Sequence, residues 1–122
     1  MLHIELDEDT GIAVFEPEGP LEKADFEAAS HLIDPYIELN GRLRGLIIRT
    51  RDFPGWDSFT ALLGQFQFVK NHHHELTHVA LVTDSNFGEF AERVGDHFVA
   101  AEVKHYPFEQ FELARDWMLV ED

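Results

Sequence analysis

Alternating apolar and polar positions open the chain. Leu2, Ile4 and Leu6 are interleaved with His3, Glu5 and Asp7, the period of a strand with one buried face. Asp9-Thr10-Gly11 supplies turn residues, and Ile12 to Phe15 make a second strand that returns antiparallel to the first. Pro17-Glu18-Gly19-Pro20 ends this pair. From Leu21 the period changes: Phe26, Ala29, Ile33 and Ile37 share one helical face. Asn40-Gly41 is a helix-terminating pair. Pro35, inside the segment, removes one backbone bond and predicts a kink.

Strands and helices then alternate. Leu46-Ile47-Ile48 reads as a buried strand, followed by a loop and a helix carrying Phe59, Leu62, Leu63, Phe66 and Val69. Val79 to Val82 is the next buried strand, followed by a helix with Phe87, Phe90, Ala91, Val94 and Phe98. Glu102 to Tyr106 has the look of an edge strand, and Phe108 to Met118 of a last helix. Short, continuously apolar strands between amphipathic helices imply a sheet covered on its faces and joined by parallel crossovers. The expected class is α/β: an N-terminal antiparallel hairpin, then right-handed βα units, in a mainly parallel mixed sheet of about five strands with about four helices. Neither a repeat nor a linker interrupts the pattern, so residues 1–122 are expected to form a single domain.

Composition agrees with a packed core and removes several chemistries. Of 122 residues 44% are apolar and 11 are Phe, ample for a domain of this size. The absence of cysteine excludes disulfides, thiolate metal sites and cysteine nucleophiles. The run Val79-Ala80-Leu81-Val82 falls far short of the roughly 20 apolar residues of a membrane-spanning helix. The alternating N-terminus has no basic leader or long apolar stretch, so no cleaved signal is expected and the expected compartment is the cytoplasm.

Charge narrows the partners. Nine Lys and Arg against 24 Asp and Glu leave a formal net charge of −15. A field of that sign repels phosphate backbones and anionic lipid, so nucleic acid is not an expected partner. Such a surface is either simple solvation or the complement of a basic protein.

Particular residues resemble a known family. Asp52-Phe53-Pro54-Gly55-Trp56, after the Leu46–Thr50 strand, resembles the Asp-Phe-x-Gly-Trp loop of the bacterial SpoIIAA-like proteins of unknown function. Ala101-Glu102-Val103-Lys104-His105-Tyr106 and Ala114-Arg115-Asp116-Trp117-Met118 follow in the matching order. The succession of elements is similar to the SpoIIAA-like fold shared by STAS domains and anti-sigma-factor antagonists. The resemblance covers essentially the whole chain. It implies a small bacterial cytoplasmic protein without established catalysis, similar also to the CRAL-TRIO lipid-binding fold.

The 52–56 loop lies at the C-terminal end of a central strand, where open α/β sheets bind ligands. Phe53 and Trp56 there either plug the end of the core or wall a small apolar pocket. Asp84-Ser85-Asn86 opens at the same edge, as a helix cap or as polar contacts beside such a pocket. Phe87 and Phe90 belong to a stripe with core spacing, whose alternative is a movable lid over a lipophilic ligand or a transient membrane contact. Asp57-Ser58 falls where the antagonists carry a phosphorylated serine. Residues 58–61 read Ser-Phe-Thr-Ala where those proteins continue Ser-Gly, and a plain helix cap explains the pair as well. His72-His73-His74 cannot converge on a metal while helical, because consecutive side chains point about 100° apart. His74 and His78 are the weak metal candidates, with Glu75. No glycine-rich phosphate loop or nucleophile elbow is present, so no cofactor and no catalytic group is expected.

Two functions remain open. One is a non-enzymatic domain holding a small lipophilic molecule between Phe53, Trp56, Asp84, Phe87 and Phe90. The other is a STAS-type interaction switch acting around Ser58, with a protein partner or a second copy.

Overall fold

The computed structural model describes residues 2–18, 23–41, 43–51, 76–84 and 102–120. Strands β1 (Leu2–Asp7) and β2 (Ile12–Pro17) form the hairpin, and helix α1 (Lys23–Asn40) follows. Strands β3 (Leu43–Arg49), β4 (Leu76–Val82) and β5 (Glu102–Tyr106) complete a five-stranded sheet of order β1-β2-β3-β4-β5. A 3₁₀ turn (Phe108–Gln110) leads into helix α2 (Phe111–Leu119). β1 pairs antiparallel with β2, and β2, β3, β4 and β5 are mutually parallel. The expected class and strand number therefore hold. Two α-helices stand among the described residues; the helices expected around Phe59–Val69 and Phe87–Phe98 lie outside them.

The hairpin turn is built by Asp7. Its Oδ1 accepts the amides of Asp9 and Thr10 at 3.0 and 3.4 Å, and Gly11 N donates to Asp7 O at 2.8 Å. Its Oδ2 accepts Arg115 Nη2 at 3.2 Å, tying the turn to α2. Partial desolvation pushes the Asp7 carboxyl up. The Thr10 hydroxyl, the two amides and Arg115 outweigh it and hold the group below the ordinary aspartate value.

Helix α1 ends as its sequence requires. Gly41 sits at φ +86, and its amide donates to Ile37 O at 2.7 Å. Pro35 is accommodated within the 18-residue helix.

The core has two faces because strand side chains alternate. Ile12, Val14, Ile47, Ala80 and Val82 turn toward α2, which buries Ala114 and Met118 among them. The approach is close because β3 carries Gly45 there: a Cβ at that position would lie 3.0 Å from Met118 Cε and 3.1 Å from Cγ, and closer still to Sδ. Ala13, Phe15, Leu46, Ile48, Val79 and Leu81 are also buried and, by the same alternation, belong to the opposite face. Helix α1 packs against β1 and β3 and buries Ala29, Ile33 and Ile37.

Several boundaries differ from the sequence expectation: β2 runs on through Pro17, which pairs with Leu2, and α1 begins at Lys23. β3 begins at Leu43 and β4 at Leu76, because parallel pairing from Leu43↔Leu76 continues beyond the apolar runs. The last helix does not begin as α at Phe108: after Pro107 the chain makes a 3₁₀ turn, with Gln110 N donating to Pro107 O at 2.9 Å.

Candidate functional site

β3, β4 and β5 end side by side, with Arg49 opposite Val82 and Val82 opposite Tyr106. Their carboxyl ends form the edge of the sheet where ligands of open α/β folds sit. Backbone pairing continues past the strands. Thr50 N donates to Val82 O, Asp84 N to Arg51 O and Thr83 N to Tyr106 O, each at 3.0 Å. Thr83 is buried and donates its hydroxyl to Arg51 O at 3.2 Å. His105 Nε2 lies 2.8 Å from Thr83 O, so this nitrogen carries the proton and donates. The floor of the edge is thereby closed between the three strands.

Asp84 is built into that edge. Its Oδ1 accepts the Phe108 amide at 3.1 Å, and Arg51 Nη1 lies 3.5 Å from Oδ2. The carboxylate caps the 3₁₀ turn ahead of α2, a helical start that favours negative charge. This is a cap for a segment distant in sequence. Both members of the ion pair are largely exposed, 60% for Arg51 and 43% for Asp84. Their attraction is therefore worth only about 0.2–1 kcal/mol.

Beside Asp84 two guanidinium groups converge on one aromatic ring. Arg49 Cζ lies 4.6 Å from the Phe108 ring centroid and 4.8 Å from that of Phe111. Arg51 Cζ is also 4.6 Å from the Phe108 centroid. Among the described residues Arg49 Nε is buried without a hydrogen-bond partner, and the guanidinium lies against the faces of both rings. A guanidinium stacked in this way still presents in-plane donors suited to a carboxylate. Sequence reasoning passed over these residues. The signal was present: Arg49 and Arg51 have strand spacing and are two of only nine basic residues in an acidic chain. Phe108 enters the sequence pattern only as the first residue of the last helix.

The remaining candidates divide. Phe53, Trp56, Ser58, Phe87, Phe90 and His74 lie outside the described residues. His78 occupies the interior of β4, paired with Gly45, away from the Asp84 edge. Its Nδ1 lies 3.3 Å from Arg44 O, and its ring meets Trp117 edge-on at 4.8 Å and 81°. The strand therefore places it as a packing residue against α2. Among the described residues no three His, Asp or Glu side chains are grouped to hold a metal. Among the same residues no helix is long and apolar enough to cross a membrane.

Tyr106 ends β5 half-buried beside Trp117, with centroids 6.3 Å apart. Burial and then the Glu102 carboxylate push its phenol above the ordinary tyrosine value. It remains a neutral hydroxyl at physiological pH, without the perturbation that marks a general base.

No curated protein and no solved structure matches this chain. A family model described as SpoIIAA-like matches residues 12–119, from the start of β2 to the end of α2. The match spans the parallel sheet, both described helices and the Asp84–Phe108 edge, and on that evidence the chain belongs to the SpoIIAA-like family.

Proposed function

We propose that this domain is a non-catalytic binding module of the STAS type, meeting a protein partner at the C-terminal edge of its sheet. The observation that carries the reading is the convergence of Arg49 and Arg51 on Phe108, next to Asp84. Arginine and aromatic side chains are the groups most enriched in the energetic centres of protein interfaces. Arg49, fixed against two rings, has little further freedom to lose on binding, and its in-plane donors suit a carboxylate of the partner. Ser58, nine residues after the end of β3 in sequence, is the proposed switch position, where a phosphate would add negative charge.

A second reading is favoured by Phe108 itself, a half-buried ring at the same edge. A small lipophilic molecule held by Phe53, Trp56, Phe87 and Phe90, with Asp84 at the rim, would gain that ring as a further apolar contact. Both readings place function at one edge and neither requires a cofactor.

The test uses a photo-crosslinking residue at Glu109 and, as control, at Glu5 on the edge strand β1. Protein adducts at 109 that are missing at position 5 support the interaction module. For the ligand, native mass spectrometry of untagged protein is compared with a denatured sample. A discrete organic adduct that is lost on unfolding, and released by Phe53→Ala or Trp56→Ala, moves the assignment to the second reading. Neither kind of adduct at this edge removes both.

A further inference from the structure

The outer face of α1 carries an apolar groove that the edge-centred function does not use. Leu32, Pro35, Tyr36, Leu39 and Asn40 line it together with Glu8 from the hairpin turn, and its volume is about 340 Å³. That is near the lower limit for small-molecule sites. Because the groove lies open on a helix face, it is suited to a few inserted side chains. Leu39 is 86% exposed and Leu32 44%, at helical spacing from one another across Pro35 and Tyr36. The floor is firm: Tyr36 donates its hydroxyl to Glu8 O at 3.3 Å, and Asn40 Nδ2 donates to Tyr36 O at 3.0 Å.

The electrostatics of this face select the occupant. Residues 2–18 and 23–41 contain ten Asp and Glu against a single basic residue, Lys23, at the end of α1 remote from Leu39. The last turn of α1 has no basic side chain to offset the negative end of the helix dipole, and that end borders the groove at Leu39 and Asn40. Glu8 lines the groove, and Glu38 is exposed on the same turn as Leu39. Pro35 has no amide hydrogen, so the His31 carbonyl lacks its helical donor. An apolar floor bordered by Glu8, Glu38 and the negative end of the α1 dipole is complementary to a segment that is apolar on one side and cationic on the other. A second copy of this chain would bring another −15 to the same place, and an anionic membrane would be repelled.

We infer that the α1 groove is a docking site for a basic amphipathic helix of a partner protein, with apolar side chains on Leu32, Pro35 and Leu39 and cationic ones on Glu8 and the C-terminal end of α1. The site is distinct from the Arg49–Phe108 edge and does not depend on it.

The probe is a fluorescein-labelled synthetic Leu/Lys peptide with leucines at i, i+3, i+4 and i+7. Its control is a peptide of the same composition in scrambled order. Anisotropy titrations of the full chain are expected to show at least tenfold tighter binding of the ordered peptide, a difference of about 1.4 kcal/mol. Leu39→Ser and Leu32→Ser should each weaken it at least fivefold, and Glu8→Gln should reduce its salt dependence. Exposed Leu39 leaves folding intact on substitution, which circular dichroism checks directly. Amide shift changes in a nitrogen–proton spectrum should fall within the Asp7–Gly11 turn and residues 24–41. Equal binding of both peptides would mean attraction by charge alone and overturn the proposal. So would shifts confined to the Arg51–Phe108 edge, or sedimentation showing a dimer that Leu39→Ser dissociates.

Discussion

Substituting Gly45 by alanine tests the closest approach in the fold. The added Cβ would stand 3.0 and 3.1 Å from Met118 Cε and Cγ, and nearer still to Sδ, where ordinary contact is about 3.5–4.0 Å. Met118 is fully buried among Ile12, Val14, Ile47, Ala80, Val82 and Ala114, so its side chain has nowhere to swing without displacing a neighbour. Overpacking of this kind costs about 1–3 kcal/mol. Gly45 has no positive φ, so alanine suits the backbone, and the stiffer unfolded chain returns about 0.4–1 kcal/mol. The net expectation is a loss of about 1–2 kcal/mol, which lowers Tm by roughly 3–10 °C for a domain of this size. Urea unfolding followed by far-ultraviolet circular dichroism measures it directly. Met118→Ala alone should cost about 2–5 kcal/mol by leaving a cavity. In the double variant the new methyl occupies part of that cavity, so the combined loss should be smaller than the sum of the two. A neutral or stabilising Gly45→Ala, or strictly additive losses, would refute the idea that β3 and α2 meet through this contact.

Gly41→Ala separates backbone strain from packing: among the described residues, its chain neighbours apart, no atom lies within 4 Å of the new Cβ, yet φ is +86, so the loss should be about 1–2 kcal/mol from conformation alone. Gly41→Asn should recover part of it in the same urea assay. Asp84→Ala removes both the Phe108 cap and the Arg51 pair and is expected to cost about 1–2 kcal/mol. Asp84→Asn keeps an acceptor and should cost less; equal costs would show that charge, and not capping, is what Asp84 supplies. Asp7 has a lowered folded pKa, so its stabilising contribution is present above the ordinary aspartate range and is lost as pH falls through the folded value. Asp7→Asn should flatten the acid limb of stability against pH, and an unchanged limb would contradict the assignment. Tyr106 has a raised folded pKa, so its contribution is complete below about 10 and is lost as pH rises through the folded value. Absorbance titration should show one of the two tyrosines ionising late, and Tyr106→Phe should abolish that phase.

Much of the architecture was legible along the chain because its causes are local. The alternation of Leu2, Ile4 and Leu6, the Asp9–Gly11 turn residues and the Asn40-Gly41 terminus each express a preference within one or two turns of backbone. All three elements stand where these residues predicted. Strand length was less legible. Leu43 to Gly45 and Leu76 to His78 carry weak apolar signals, and only parallel pairing with one another extends β3 and β4 through them.

The tertiary structure alone decided which distant residues share a surface. Asp84 reads in sequence as the cap of whatever follows it; in the fold its carboxylate caps Phe108, 24 residues onward. Arg49, Phe108 and Phe111 meet because β3 and the start of α2 finish at one sheet edge, a juxtaposition that no periodicity encodes. His78, one of the conspicuous histidines in the sequence, is turned by β4 toward Trp117 and the Arg44 carbonyl. Local pattern determines secondary structure through sterics and burial period. The placement of charge and aromatic surface depends on chain topology, and so the candidate site emerged only when the strands were laid side by side.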